Sequence, residues 1–204
     1  MPRKKPSNSL RLFFAGIAVG AMGTGVAMVA TPAPLRAQLD PPAVASPSAP
    51  LAQQLGNVEV YFSPRGGATD AIVREIEAAK RHVKVQAYSF TSAPIAKALT
   101  DAHARGIRVT AVLDKSQRSE RYSSATFLHN HGVPVLIDEK HAIAHNKIIL
   151  IDDDTIITGS FNFSKAAEER NAENLLIIKD QPALMRVYQD NFRSHVEHSV
   201  AYRR

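Results

Sequence analysis

At 204 residues the chain has room for one domain once its atypical first quarter is set aside. It contains no cysteine, which excludes disulfides, thiolate nucleophiles and zinc–thiolate centres. The formal charge of +6 is a weaker polyanion signature than it looks: five of the 25 Lys and Arg (Arg3, Lys4, Lys5, Arg11, Arg36) and only one of the 19 acids (Asp40) precede residue 55, leaving 20 basic and 18 acidic groups beyond it.

Arg3, Lys4, Lys5 and Arg11 stand before an uncharged run from Leu12 to Ala30. Residues 1–30 therefore read as an export signal or a single membrane anchor, with Gly16, Gly20, Gly23 and Gly25 weakening the run as a permanent span. Positive charge ahead of the run predicts an exported, periplasmic or otherwise extracytoplasmic protein, anchored by 12–30 if the segment is retained. Residues 31–54, rich in Pro, Ala, Ser and Gln, read as a flexible linker, and 55–204 as the catalytic domain.

Within that domain strand-like and helix-like periodicities alternate. Val58–Phe62 predicts a strand, Thr69–Arg81 a helix with Ile72, Val73 and Ile76 on one face, and Val83–Phe90 a strand. Ser92 is a candidate N-cap for a helix to Arg105 with Pro94 in its first turn, and Gly106 ends it. Ile107–Leu113 predicts a buried strand, Ser119–His131 a helical stretch stopped by Gly132, and Val133–Ile137 another strand. Ala144–Ile151, a turn over Asp152–Asp154, Thr155–Thr158 and Leu175–Ile178 follow, before an amphipathic helix from Pro182 with Leu184, Val187, Tyr188 and Phe192 at helical spacing. The alternation predicts an α/β fold: a central, mostly buried mixed sheet with helices on both faces.

The segment from His145 through Lys147 to Asp152 has the form His-x-Lys-x4-Asp, and Gly159-Ser160-Phe161-Asn162-Phe163-Ser164 follows it. With eight His, ten Lys and ten Asp, chance supplies about 0.02 such matches even before the second motif is counted. Side chains two apart on a strand share a face, so His145 and Lys147 are predicted to meet one substrate. An imidazole titrates near neutrality and can form a covalent intermediate, while Lys147, the Asn162 amide and the Ser160 hydroxyl can donate to phosphoryl oxygens.

These residues resemble the phospholipase D superfamily, whose HKD signature is this pair of motifs. Tyr88-Ser89-Phe90-Thr91 and Arg105-Gly106-Ile107-Arg108-Val109 followed by Asp114 are similar as well, and in length the chain is most like the superfamily's small exported bacterial endonucleases. The resemblance implies that His145 is the nucleophile, that Lys147, Ser160 and Asn162 form the phosphate pocket, that Glu173 orients the histidine through its second ring nitrogen, and that Asp152 has a supporting part. It implies a phospholipase D-like fold. Larger members carry two motifs; here the second candidate, His82-Val-Lys84, has Ser89 where the acid belongs. A homodimer with a composite site, one His145 attacking and the other protonating the leaving oxygen, is then implied.

No metal or cofactor is expected: His141 and His145 are four apart near acids, but the neighbouring lysine would repel an ion. The leading function is a low-specificity endonuclease on DNA or RNA, with Arg105, Arg108, Lys115, Arg118 and Arg121 as a basic rim. The alternatives are a phospholipase D acting on membrane phospholipids and a catalytically silent nucleic-acid-binding domain.

Overall fold

The computed structural model describes residues 53–203, so the apolar run and nearly all of the linker lie outside the described residues. No helix among the described residues is long and apolar enough to cross a membrane. Among the described residues nine strands form one sheet: β1 (Gln53–Leu55), β2 (Val58–Ser63), β3 (His82–Ala87), β4 (Arg108–Asp114), β5 (Val135–Asp138), β6 (Lys147–Ile151), β7 (Thr155–Gly159), β8 (Glu173–Lys179) and β9 (Val200–Ala201). Their order is β1-β2-β8-β7-β6-β3-β4-β5-β9. β3, β4 and β5 run parallel, and every other neighbouring pair is antiparallel.

The sheet is mixed and covered on both faces, as the sequence predicts. The helices are α1 (Ala68–Ala78), α2 (Ala93–Ala104), α3 (Ala125–Asn130), α4 (Lys165–Glu169) and α5 (Pro182–His198). β6 shows why the pattern works. Ile149 and Ile151 join the cluster that includes Ile72 and Ile76 of α1, Ile95 and Leu99 of α2 and Leu128 of α3. Ile148 and Leu150 point the other way, into a smaller cluster with Met185 and Phe192 of α5. A strand buried on both faces reads as one unbroken apolar run, which is what residues 147–151 become after the lysine.

Several boundaries move, each for a local reason. β6 begins at Lys147 rather than Ala144, because the Ala144 amide donates to Asp114 Oδ2 at 2.7 Å instead of to a strand. The helical stretch predicted over Ser119–His131 shrinks to α3, preceded by a 3₁₀ turn at Lys115–Arg118 that Asp114 caps by accepting from Ser116 N at 2.9 Å. β3 stops at Ala87, and Phe90 makes only an isolated bridge to Phe163. Ser92 does precede α2, yet its side chain makes no capping bond. β1, β9 and α4 are too short to leave a periodic signal.

Candidate active site

The sheet topology brings separate motifs to one edge. Ala87, the last residue of β3, pairs with Lys147, the first of β6. Gly159, ending β7, pairs with Leu175 near the start of β8, and Glu173, which begins β8, pairs with Ser63 at the end of β2. His145, Lys147, Ser160, Asn162 and Glu173 are thus all carried on neighbouring chain segments at this edge.

His145 is exposed and lies just before β6, while Lys147 is 6% exposed inside it. The predicted meeting occurs: Lys147 Nζ lies 3.2 Å from His145 Nε2 and 3.3 Å from Nδ1, and it donates to the His145 carbonyl at 3.1 Å. Burial pushes the Lys147 ammonium below the ordinary lysine value, and the charge of Glu173 partly restores it. A cation held in a partly dry position next to an exposed imidazole is suited to a phosphoryl group, whose negative charge replaces lost hydration.

The second motif is fixed by alternation. Phe161 and Phe163 are buried, Phe163 packing edge-on against Phe90 with ring centroids 6.0 Å apart, so Ser160 and Asn162 fall on the other side of the segment. Ser160 N and Phe161 N both donate to the Asn174 carbonyl, at 3.1 and 3.2 Å, and Ser160 Oγ accepts from Asn174 N at 3.0 Å. The Ser160 hydroxyl is therefore anchored with its own proton still available. Asn162 Oδ1 is buried without a hydrogen-bond partner among the described residues. Ser164 then caps α4 by accepting from Ala167 N at 3.2 Å, and Glu168 of that helix accepts from Gly67 N and Thr69 N at the start of α1.

Glu173 accepts from Asn171 Nδ2 at 3.1 Å and acts on Lys147 through its charge. Asp152 lies at the opposite end of β6, on the order of 20 Å of extended chain from His145. There its carboxylate accepts the backbone amides of Lys80 (2.6 Å), Arg81 (2.7 Å) and His82 (3.0 Å). Burial alone would raise its pKa, but these three amides hold it below the ordinary carboxylate range. Its geometry is that of a clamp between the turn after β6 and the start of β3.

The basic rim divides. Lys115, Arg118 and Arg121 follow β4 at the site edge, whereas Arg105 and Arg108 lie at the far end of that strand, Arg105 donating to the Glu77 carbonyl at 3.1 Å. A parallel strand between the two groups separates them, so they cannot form one surface. Tyr88 has no assigned part in the sequence reading beyond its similarity to the family. Its ring lies 4.5 Å from that of His145 and 5.2 Å from Lys147 Nζ, and its amide donates to the Asn146 carbonyl at 2.9 Å. The sequence places Tyr88 inside the strand predicted over Val83–Phe90, and only the pairing of β3 with β6 brings it to His145. His141 does not join His145; its Nδ1 lies 2.9 Å from Asp138 Oδ2.

Residues 72–196 match the family described as cardiolipin synthase, PLD-like domain. The chain is 39% identical over 146 residues to a phospholipase D of Rickettsia typhi, covering 72% of each chain. Its matches to rickettsial proteins of the same name from other species span 61–62% of their length. Among solved structures, Nuc of Salmonella typhimurium, a phospholipase D family member, superposes with a TM-score of 0.69 at 37% identity, over 72% of this chain and 98% of Nuc. NucT of Helicobacter pylori superposes with a TM-score of 0.66 at 26% identity, over 71% and 98%.

Proposed function

The chain belongs to the phospholipase D superfamily, and on that premise we propose that this phosphodiesterase is a low-specificity endonuclease acting on DNA, with RNA as a further substrate. One observation carries the chemistry: the Lys147 ammonium 3.2 Å from the exposed His145 ring, with Ser160 and Asn162 on the adjoining segment. His145 attacks phosphorus, the bond to the leaving oxygen breaks, and a phosphohistidine forms. Water then attacks phosphorus, the P–N bond breaks, and His145 is released with a phosphomonoester. Lys147, Ser160 and Asn162 hold the non-bridging oxygens in both steps, and Glu173 orients the imidazole.

The leaving oxygen needs a proton, and His145 of the partner subunit supplies it, then takes one from the attacking water. The single complete motif motivates this homodimer. Two exposed apolar side chains at the site edge favour a covering partner: Ile143, 59% exposed two residues before His145, and Phe62, 58% exposed beside Ser63. Lys115, Arg118 and Arg121 at the same edge favour a polyanionic backbone. The apolar run at 12–30 favours export.

A phospholipase D activity is the second reading, favoured by the name of the Rickettsia typhi relative and by the same apolar run. A silent binding domain is disfavoured because His145, Lys147, Asn162 and Glu173 are all present. Purified protein incubated in parallel with plasmid DNA, RNA and anionic phospholipid vesicles separates the readings. Nicking and linearisation of the plasmid is the expected outcome; headgroup release from vesicles with intact nucleic acid would replace the nuclease reading with the lipid one.

A further inference from the structure

A second cluster of chemistry-bearing side chains lies at the end of β5, outside the residues assigned to phosphodiester cleavage. Asp138, the last residue of β5, is fully buried. Three imidazole nitrogens converge on its Oδ2: His195 Nδ1 at 2.6 Å, His141 Nδ1 at 2.9 Å and His198 Nε2 at 3.2 Å. The rings face one another, with centroids 4.9 Å apart for His141 and His195, 5.1 Å for His141 and His198, and 5.3 Å for His195 and His198. One ligand atom from each of the four residues falls within 4.8 Å of the others.

Hydrogen bonding alone accounts poorly for this arrangement. A carboxylate has about four acceptor positions, two on each oxygen. Asp138 Oδ1 already faces the amides of Lys140 and His141, at 3.1 and 3.3 Å. That leaves two positions on Oδ2 for three imidazole donors. Protonating all three rings would instead gather three positive charges against one carboxylate, in a place where His195 is 9% exposed and Asp138 is fully buried. A divalent cation resolves both difficulties, because it takes lone pairs from neutral imidazoles and one carboxylate oxygen.

We propose that Asp138, His141, His195 and His198 form a structural zinc site. Imidazole and carboxylate are zinc ligands, and tetrahedral bonds of roughly 2.0–2.1 Å place neighbouring ligand atoms about 3.4 Å apart. The three contacts to Oδ2, at 2.6, 2.9 and 3.2 Å, need only modest widening to admit the ion. Two short pairs supply the ligands: Asp138 and His141 across the end of β5, and His195 and His198 one turn apart on α5. Four protein ligands close the coordination shell, which is the mark of a structural rather than a catalytic site. The Asn146 side-chain nitrogen lies 3.5 Å from His195 Nε2, and with that amide turned over its oxygen would accept the ring N–H that a zinc-bound His195 donates. The ion thus joins the end of the sheet, the C-terminal turn of α5 and the loop that leads to His145.

The test uses the full chain carrying a purification tag without histidine, loaded with zinc and passed through metal-free buffer. Elemental analysis is expected to find one zinc per chain, Co2+ substitution to give the intense visible bands of a tetrahedral site, and EDTA to lower the melting temperature. His198→Gln, and separately His141→Gln at the most exposed ligand, are expected to weaken zinc binding by at least about tenfold. His145→Asn is expected to retain the ion, which excludes capture by the active-site histidine. Wild-type protein that keeps no zinc, or that keeps as much as the His141 and His198 variants do, overturns the proposal.

Discussion

A β-carbon added to Gly159 would stand 2.3 Å from the carbonyl oxygen of Asn174. That carbonyl is the one that receives the Ser160 and Phe161 amides, so the approach which excludes a side chain is also the approach that sets the pocket. Gly159 further has a φ of 145°, a conformation rare for other residues. Gly159→Ala is expected to cost on the order of 2–4 kcal/mol in urea unfolding. Any folded fraction should show reduced turnover, because Ser160 moves with the displaced strand. An unfolding midpoint equal to wild type would mean that the backbone yields at no cost.

His145→Asn removes the proposed nucleophile and keeps Lys147, Ser160 and Asn162. Turnover should fall by roughly three orders of magnitude or more while substrate binding stays measurable. Glu173→Gln should lower turnover less if Glu173 has the proposed part of orienting the imidazole, since the ring itself remains. With a chiral phosphorothioate diester, two in-line displacements retain configuration at phosphorus. Inversion would exclude the phosphohistidine and make His145 a general base.

Lys147 titrates below an ordinary lysine because it is buried. In the proposed mechanism the protonated form holds phosphate, so activity is fully present below the folded-state pKa and is lost as pH rises through it. The alkaline limb of kcat/KM should therefore fall at a lower pH than the ordinary lysine value of about 10.4. Lys147→Arg, if it retains activity, should move that limb upward, because guanidinium stays charged. An unmoved limb in the arginine variant would assign it to another group.

Asp152→Asn should separate folding from chemistry. The carboxylate accepts three backbone amides far from His145, so losing its charge should cost about 2–3 kcal/mol while turnover per folded molecule is unchanged. The folded pKa is depressed, so the wild-type stabilisation is complete above the unfolded carboxylate value of about 3.9 and declines as pH falls through the folded value. The stability difference between wild type and variant should shrink over that acid range. A variant with wild-type stability but reduced turnover would place Asp152 in the chemistry after all.

Chelation bears on the two halves of the molecule differently. The proposed cleavage uses an imidazole to form the bond and a lysine to balance charge, the two tasks a catalytic metal usually performs. In EDTA the initial rate measured well below the melting temperature should persist, even as that melting temperature falls. A rate abolished at low temperature and restored by a divalent ion would contradict the metal-free chemistry.

The sequence made His145, Lys147, Ser160 and Asn162 legible because each pair lies two apart, a spacing that an extended chain turns directly into a shared face. The sheet was equally legible where strands are buried on both sides and read as apolar runs, as in Ile148–Ile151. Asp138, His195 and His198 gave no such signal: their meeting depends on α5 folding back over β5, and nothing in local spacing states where a helix will land. His141 stands four residues before His145, but a spacing of four is a helical signal and that loop is not a helix. Asp152 belongs to the motif by spacing, and only the tertiary position of residues 80–82 reveals what it holds.

The position of β2 in the sheet also sets a timetable. This strand is paired with β8 along its length, from Val58 with Ile178 to Ser63 with Glu173, although almost the whole domain separates them in the chain. A polypeptide made from its N-terminus therefore produces the proposed nucleophile before the strand that carries Glu173, and β2 waits through more than a hundred further residues for its partner β8. Through most of its own synthesis the enzyme is consequently unarmed, a useful property in a catalyst whose proposed substrate fills the cell that makes it.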